Sequence, residues 1–148
     1  MTAITSRKNP KIREARALKE RKVRDLTGLF VVEGIRHVAE AIEAGAEVAY
    51  LCYAPDLLTS DFARDLVEQQ RARGRSCYSV TPEVFASLSE RENPNGLLAV
   101  VKQKRAKLAE LRPANFAWGV ACVAPQDPGN VGTILRAIDA VGAHGRIL

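Results

Sequence analysis

An α/β fold with a largely parallel sheet is what this 148-residue sequence predicts, and two observations carry that expectation. Short apolar runs alternate along the chain with amphipathic stretches of helical period, the pattern of strands joined by covering helices. Glycine or proline stands at most of the junctions, where a chain must turn. Taken in order, Asn9-Pro10 opens a helix, asparagine as the cap and proline in the first turn, with Ile12, Ala15 and Leu18 on one face and a stop at Gly28. Leu29–Val32 reads as a short buried strand. Gly34 opens a second helix carrying Ile35, Val38, Ala39 and Ile42, and Gly45 ends it. Val48–Tyr53 is the next strand, and Ser60-Asp61 starts a helix with Phe62, Ala63, Leu66 and Val67 on one side, closed by Gly74. Ser76–Val80 is a strand, Thr81-Pro82 caps a short helix through Leu88, and Gly96–Val101 is a buried strand. Residues 1–101 thus form one α/β domain.

Residues 102–115 are polar and basic and read as a linker. The pattern then restarts. Phe116–Ala124 is an apolar strand, Pro125–Gly129 a turn, and Val131, Ile134, Leu135, Ile138 and Val141 one face of a helix that Gly142 closes. Arg146-Ile147-Leu148 begins another strand. A strand, a helix and an opening strand leave sheet edges unpaired, so 116–148 reads as the N-terminal fragment of a second, larger domain.

Composition narrows the function classes. With 47% hydrophobic and 26% charged residues the chain is globular. Its longest apolar run, Phe116–Ala124, is about half of what a membrane helix needs. No apolar stretch follows the charges at the N-terminus, so no secretory signal is expected there. Cys52, Cys77 and Cys122 are too scattered for a metal set and fit reduced thiols of a cytoplasmic protein. No glycine-rich nucleotide loop or zinc motif occurs, and His37 and His144 read as surface or structural.

The net charge of +5 is unevenly placed. Residues 1–36 hold 10 basic and 4 acidic residues, 37–101 hold 5 and 10, and 102–148 hold 7 and 3. Nine cations fall within the first 24 residues, mostly on the faces of the first helix that the apolar residues leave free: Arg7, Lys8, Lys11, Arg13, Arg16, Lys19, Arg21, Lys22 and Arg24. A second cluster is Lys102, Lys104, Arg105 and Lys107. Basic ends around an acidic middle point to a polyanion, of which nucleic acid is the commonest. Aromatic residues are not interleaved with these cations, so no base-stacking platform is indicated.

One segment is unusual: Pro125-Gln126-Asp127-Pro128-Gly129-Asn130-Val131-Gly132-Thr133-Ile134-Leu135-Arg136. Two prolines and two of its glycines force a sharp turn between a strand and a helix, at the carboxyl end of a strand where α/β folds bind ligands. Asn130 stands where an N-cap belongs, and Arg136 falls one turn after Gly132, beside the gap that glycine leaves. The plain alternative is a tight turn with a surface arginine paired to Asp139.

Gln126–Gly132 with Arg136 closely resembles the first signature motif of the SpoU (TrmH-like) class of the SPOUT RNA 2′-O-ribose methyltransferases. Ser6–Pro10, Arg21-Lys22-x-Arg24, Phe30–Gly34 and Asn93-Pro94-x-Gly96-Leu97-Leu98-Ala99-Val100 look like that family's substrate-binding domain, so the resemblance covers almost the whole chain. It implies an L30e-like three-layer α/β domain over 1–101 and the start of a truncated α/β-knot domain over 116–148. It implies methyl transfer from S-adenosylmethionine to a ribose 2′-hydroxyl of ribosomal or transfer RNA, with Asn130 and Arg136 catalytic. Arg7, Lys8, Lys11, Arg21, Lys22 and Arg24 are the expected RNA contacts. An arginine resists deprotonation, so Arg136 is expected to stabilise developing alkoxide charge rather than act as a simple base. Glu33 belongs to the family's pattern, although a carboxylate at a helix start serves structure equally well. The cofactor-binding motifs of such enzymes lie beyond Leu148. The chain as given is therefore expected to hold no cofactor or metal and to be inactive alone, the intact protein being a cytoplasmic homodimer. A non-enzymatic RNA-binding module is the alternative, and a small-molecule α/β enzyme a third.

Overall fold

The computed structural model describes residues 3–105, 107–114, 116–124, 127–143 and 146–147. Of the residues singled out above, Pro125, Gln126, His144 and Leu148 lie outside these. The chain divides into two compact units, Met1–Lys104 and Arg105–Leu148.

In the first unit the elements run α1 (Pro10–Ala17), α2 (Arg21–Thr27), β1 (Leu29–Glu33), α3 (Ile35–Glu43), β2 (Val48–Tyr53), α4 (Asp61–Ala72), β3 (Cys77–Ser79), α5 (Pro82–Leu88) and β4 (Leu97–Lys102). The sheet order is β1-β4-β2-β3. β4 pairs antiparallel with both β1 and β2, whereas β2 and β3 pair parallel. The expectation of a largely parallel sheet is thus corrected. The first three strands do share one direction, but β4 inserts between β1 and β2 in the opposite sense. Its Leu97–Val101 stretch is buried throughout because helices cover both sheet faces. A continuous apolar run reports that burial and says nothing of strand direction.

β4 also sorts the core. Leu97, Ala99 and Val101 pack on one side with Val38 and Ala39 of α3 and Ala63, Leu66 and Val67 of α4. Leu98 and Val100 pack on the other with Ile12, Ala15 and Leu18 of the N-terminal helix and Val84, Phe85 and Leu88 of α5. This two-residue alternation produces three layers, helices–sheet–helices. Three predicted caps form as read. The Asn9 side chain accepts from the Lys11 N–H, Ser60 from Ala63 and Thr81 from Val84. Phe62 is 58% exposed, however, and stands off the α4 core stripe.

The single N-terminal helix expected to run to Gly28 is two helices. No glycine or proline marks the break. Glu20 adopts extended backbone angles, while the Arg24 Nη1 donates back to the carbonyls of Leu18 (2.9 Å) and Lys19 (2.7 Å). The guanidinium thereby satisfies orphan carbonyls at the end of α1 and fixes an elbow.

Residues 102–104 fall within the first unit: Lys102 ends β4, and the Gln103 N–H donates to the Gly28 carbonyl at 2.7 Å. In the second unit a 3₁₀ turn (Leu108–Glu110) precedes β5 (Val120–Ala121), α6 (Pro128–Ala140) and β6 (Arg146–Ile147), with β5 and β6 parallel. The predicted Phe116–Ala124 strand shrinks to two residues, and Val123 is 95% exposed. Its apolar run lacks the covering layers that keep β4 extended.

Candidate RNA interface and catalytic motif

The elbow sorts the N-terminal cations by chemistry. Lys11 is engaged locally: its Nζ lies 3.1 Å from Glu14 and 4.9 Å over the Tyr50 ring, and its carbonyl accepts from the Tyr50 hydroxyl. Burial, then the nearby Glu14 charge, hold the Tyr50 phenol well above its ordinary value, so it remains a donor. Arg7 reaches the Glu83 carbonyl at 3.4 Å, and Arg16 reaches the Arg7 carbonyl at 3.2 Å. Lys19 donates to the Ser89 carbonyl and Arg24 caps α1.

Lys8, Arg13 and Lys22 are exposed and make no ion pair among the described residues. Arg21 is 88% exposed, with Asp25 only loosely beside it at 3.6 Å. These four are the cations least neutralised by the protein itself, and exposed charge of this kind is what phosphate neutralisation uses. Arg13 was not among the expected contacts. Its place opposite the Ile12–Ala15–Leu18 stripe was the available signal.

Glu33 ends β1 and serves the loop after α5, not the first turn of α3. Its Oε1 accepts from the Ser89 hydroxyl at 2.5 Å and its Oε2 from the Glu90 N–H at 3.2 Å. The exposed His37 sets its Nδ1 3.2 Å from the Glu33 carbonyl.

In the second unit Asp127, not Asn130, caps α6. Its carboxylate accepts from the Asn130 N–H at 2.8 Å, which places Asn130 in the first turn. Proline at the first helical position decides this, because Pro128 there leaves Asp127 as the cap. Asp127→Ala is expected to cost about 1 kcal/mol of local α6 stability, read as faster amide exchange at Asn130. Arg136 folds back along its own helix: Nη2 donates to the Thr133 hydroxyl at 3.0 Å, and Thr133 in turn donates to the Gly129 carbonyl at 3.1 Å. A Cβ at Gly132 would stand 3.6 Å from Arg136 Nη1, so the guanidinium does lie along the gap at that glycine. It makes no ion pair with Asp139 among the described residues. Thr133 therefore holds Arg136 in place, a role visible only once helix geometry brings residues three and four apart together. The arrangement offers an exposed positive charge, held by Thr133, on the same helix as an exposed amide side chain six residues earlier.

Other chemistries find little support. The Cys52 thiol is pushed up to about 12, chiefly by burial, and burial raises Cys77 as well, so neither is an activated nucleophile. No group of three metal-ligating side chains occurs among the described residues, and no helix of them is long and apolar enough to cross a membrane. A cofactor the size of S-adenosylmethionine needs apolar walls with a few convergent polar groups. Among the described residues of the second unit only Ile138 is buried and no polar residue is, so they do not fit that cofactor.

A family model described as the MRM3-like substrate binding domain matches residues 9–99. The chain is 31% identical over 148 residues to the 23S rRNA (guanosine(2553)-2′-O)-methyltransferase RlmP of Bacillus subtilis, covering 100% of this chain and 54% of that protein. It is 34% identical to the 23S rRNA (uridine(2479)-2′-O)-methyltransferase of Streptomyces viridochromogenes, covering 98% of this chain and 50% of that protein. The crystal structure of the SpoU methyltransferase AviRb from the same organism, in complex with AdoMet, superposes with a TM-score of 0.74 at 31% identity, over 95% of this chain and 51% of that one. The chain spans about half the length of the curated relatives it matches.

Proposed function

Because the chain belongs to the MRM3-like substrate-binding domain family, and its relatives are SpoU-type rRNA 2′-O-methyltransferases, we propose that it captures RNA for ribose 2′-O-methylation. Residues 1–101, completed by 102–104, form the capture domain, 105–115 the connector and 116–148 the start of the catalytic domain. The observation that carries this reading is the N-terminal segment through α1 and α2, along which Lys8, Arg13, Arg21 and Lys22 keep their charge exposed. Arg7, Lys11 and Arg24, tied to backbone or side-chain partners, shape that surface and add to its field.

Arg136, held by Thr133, stabilises the negative charge that develops on the ribose oxygen, and Asn130 orients the sugar beside it. S-adenosylmethionine is the methyl donor of the reaction. Since the described residues do not enclose it, the 148-residue chain alone is expected to transfer no tritiated methyl group to RNA. The working enzyme is a cytoplasmic homodimer in this reading.

The test of RNA capture is a fluorescence-anisotropy titration of the 148-residue chain with a labelled ribosomal RNA hairpin at 50 and 200 mM salt. Four phosphate contacts predict an affinity loss of about a hundredfold across that interval. Affinity independent of salt, or no binding at the lower salt, would overturn the proposal.

A further inference from the structure

A slot of about 270 Å³ opens between the α1–α2 elbow, β1 and the loop that follows α5. Its floor is apolar: Leu18 and Leu88 are buried and Val31 is half-buried on the same sheet face, while Phe30 borders the slot with its ring packed on the opposite face. Lys19 and Arg24 line it from the elbow, Glu33 and Glu90 from the other elements. The volume lies just below the usual range for drug-sized ligands, which suits one flat heterocycle.

The rim groups are tied in place but not used up. The Arg24 Nη1 is fixed by two carbonyls, which leaves Nε and Nη2 with no partner among the described residues. Lys19 is held by the Ser89 carbonyl and has two further N–H groups. Both Glu33 oxygens are engaged, by the Ser89 hydroxyl and the Glu90 N–H. The Glu90 carboxylate, by contrast, has no hydrogen bond or ion pair among the described residues. The slot thus offers positioned cationic donors and one free carboxylate around an apolar floor.

We propose that this slot takes one unstacked guanine of a single-stranded RNA segment, a reading that rests on the RNA capture proposed above. Guanine presents two N–H donors, N1 and N2, on one edge and two acceptors, O6 and N7, on another. The Glu90 carboxylate receives the donor edge, while Arg24 and Lys19 donate to the acceptor edge. Adenine has the same stacking area but lacks the paired donors. Uracil offers less surface to the Leu18–Val31–Leu88 floor and one N–H. The exposed cations of α2, Arg21 and Lys22, lie on the helix that carries Arg24, so a base in the slot leaves its backbone phosphates near unpaired positive charge.

The test uses the 148-residue chain and three labelled hexamers, UUGUUU, UUAUUU and UUUUUU, titrated at 50 mM salt. The wild-type chain is expected to bind the guanine hexamer about tenfold tighter than either of the others. Glu90→Gln, an exposed change that keeps the side chain's size, is expected to abolish that preference, so that within the variant the guanine hexamer binds no tighter than the uridine hexamer. Equal binding of the three hexamers by the wild type, or a preference that survives in Glu90→Gln, would overturn the slot and leave RNA capture standing. Failure to bind any of the three would overturn both.

Discussion

Gly96→Ala is expected to lower stability by about 3 kcal/mol. Two separate costs meet there. Gly96 has φ +76°, a conformation that L side chains rarely adopt, and a Cβ built on it would lie 2.7 Å from the Leu57 Cβ and 2.9 Å from the Ala54 carbonyl oxygen. That carbonyl is backbone, held by the β2 end and by the Ala54 N–H bond to the Gly96 carbonyl at 2.9 Å, so it has little room to retreat. Gly45 is the internal control. Its φ is +75°, but nothing lies within 4 Å of an added Cβ, so Gly45→Ala carries the conformational cost alone, about 1 kcal/mol. For a chain of this size the expected fall in Tm is roughly 10 °C for Gly96→Ala and 3 °C for Gly45→Ala, measured by thermal circular dichroism. Equal shifts would show that the close approach at Gly96 is relieved by movement and does not constrain the start of β4.

That glycine illustrates which features the sequence displays and which it hides. Where a local device acts alone, reading succeeds: Ser60 and Thr81 cap the helices that follow them, and the alternation of Leu97 to Val101 marks a strand covered on both faces. The break after Leu18 was hidden because it arises from an arginine six residues ahead reaching back to two carbonyls, a tertiary arrangement without a sequence punctuation mark. The direction of β4 was hidden because antiparallel pairing with β1 and β2 is set by where the chain re-enters the sheet, and apolar periodicity carries no sign. At the candidate catalytic motif two good capping residues, Asp127 and Asn130, stand three apart, and only the rule that proline prefers the first helical position separates them. Net charge marked the N-terminal segment as a polyanion surface, yet it treated nine cations alike. Geometry divides them into those bound to carbonyls and carboxylates of the protein, such as Lys11 and Arg24, and those left to solvent, such as Arg13 and Lys22.

This division yields the second large effect. Arg21→Ala with Lys22→Ala removes two exposed cations from α2 without touching a buried residue, since α2 buries none. Stability is expected to stay within about 0.5 kcal/mol of the wild type, because exposed pairs such as Arg21–Asp25 contribute little. RNA affinity at 50 mM salt, in contrast, is expected to fall about tenfold or more, two charge-assisted phosphate contacts having been lost. Each contact also releases counterions, so the dependence on salt must change along with the affinity.

The decisive measurement is therefore the slope of log affinity against log salt for a ribosomal RNA hairpin, compared between the wild-type chain and the Arg21→Ala/Lys22→Ala chain at matched folding. Capture by the elbow predicts a slope shallower by about 1.5 to 2 in the doubly substituted chain. Identical slopes and identical affinities in the two chains would contradict it and would place the RNA elsewhere on the molecule.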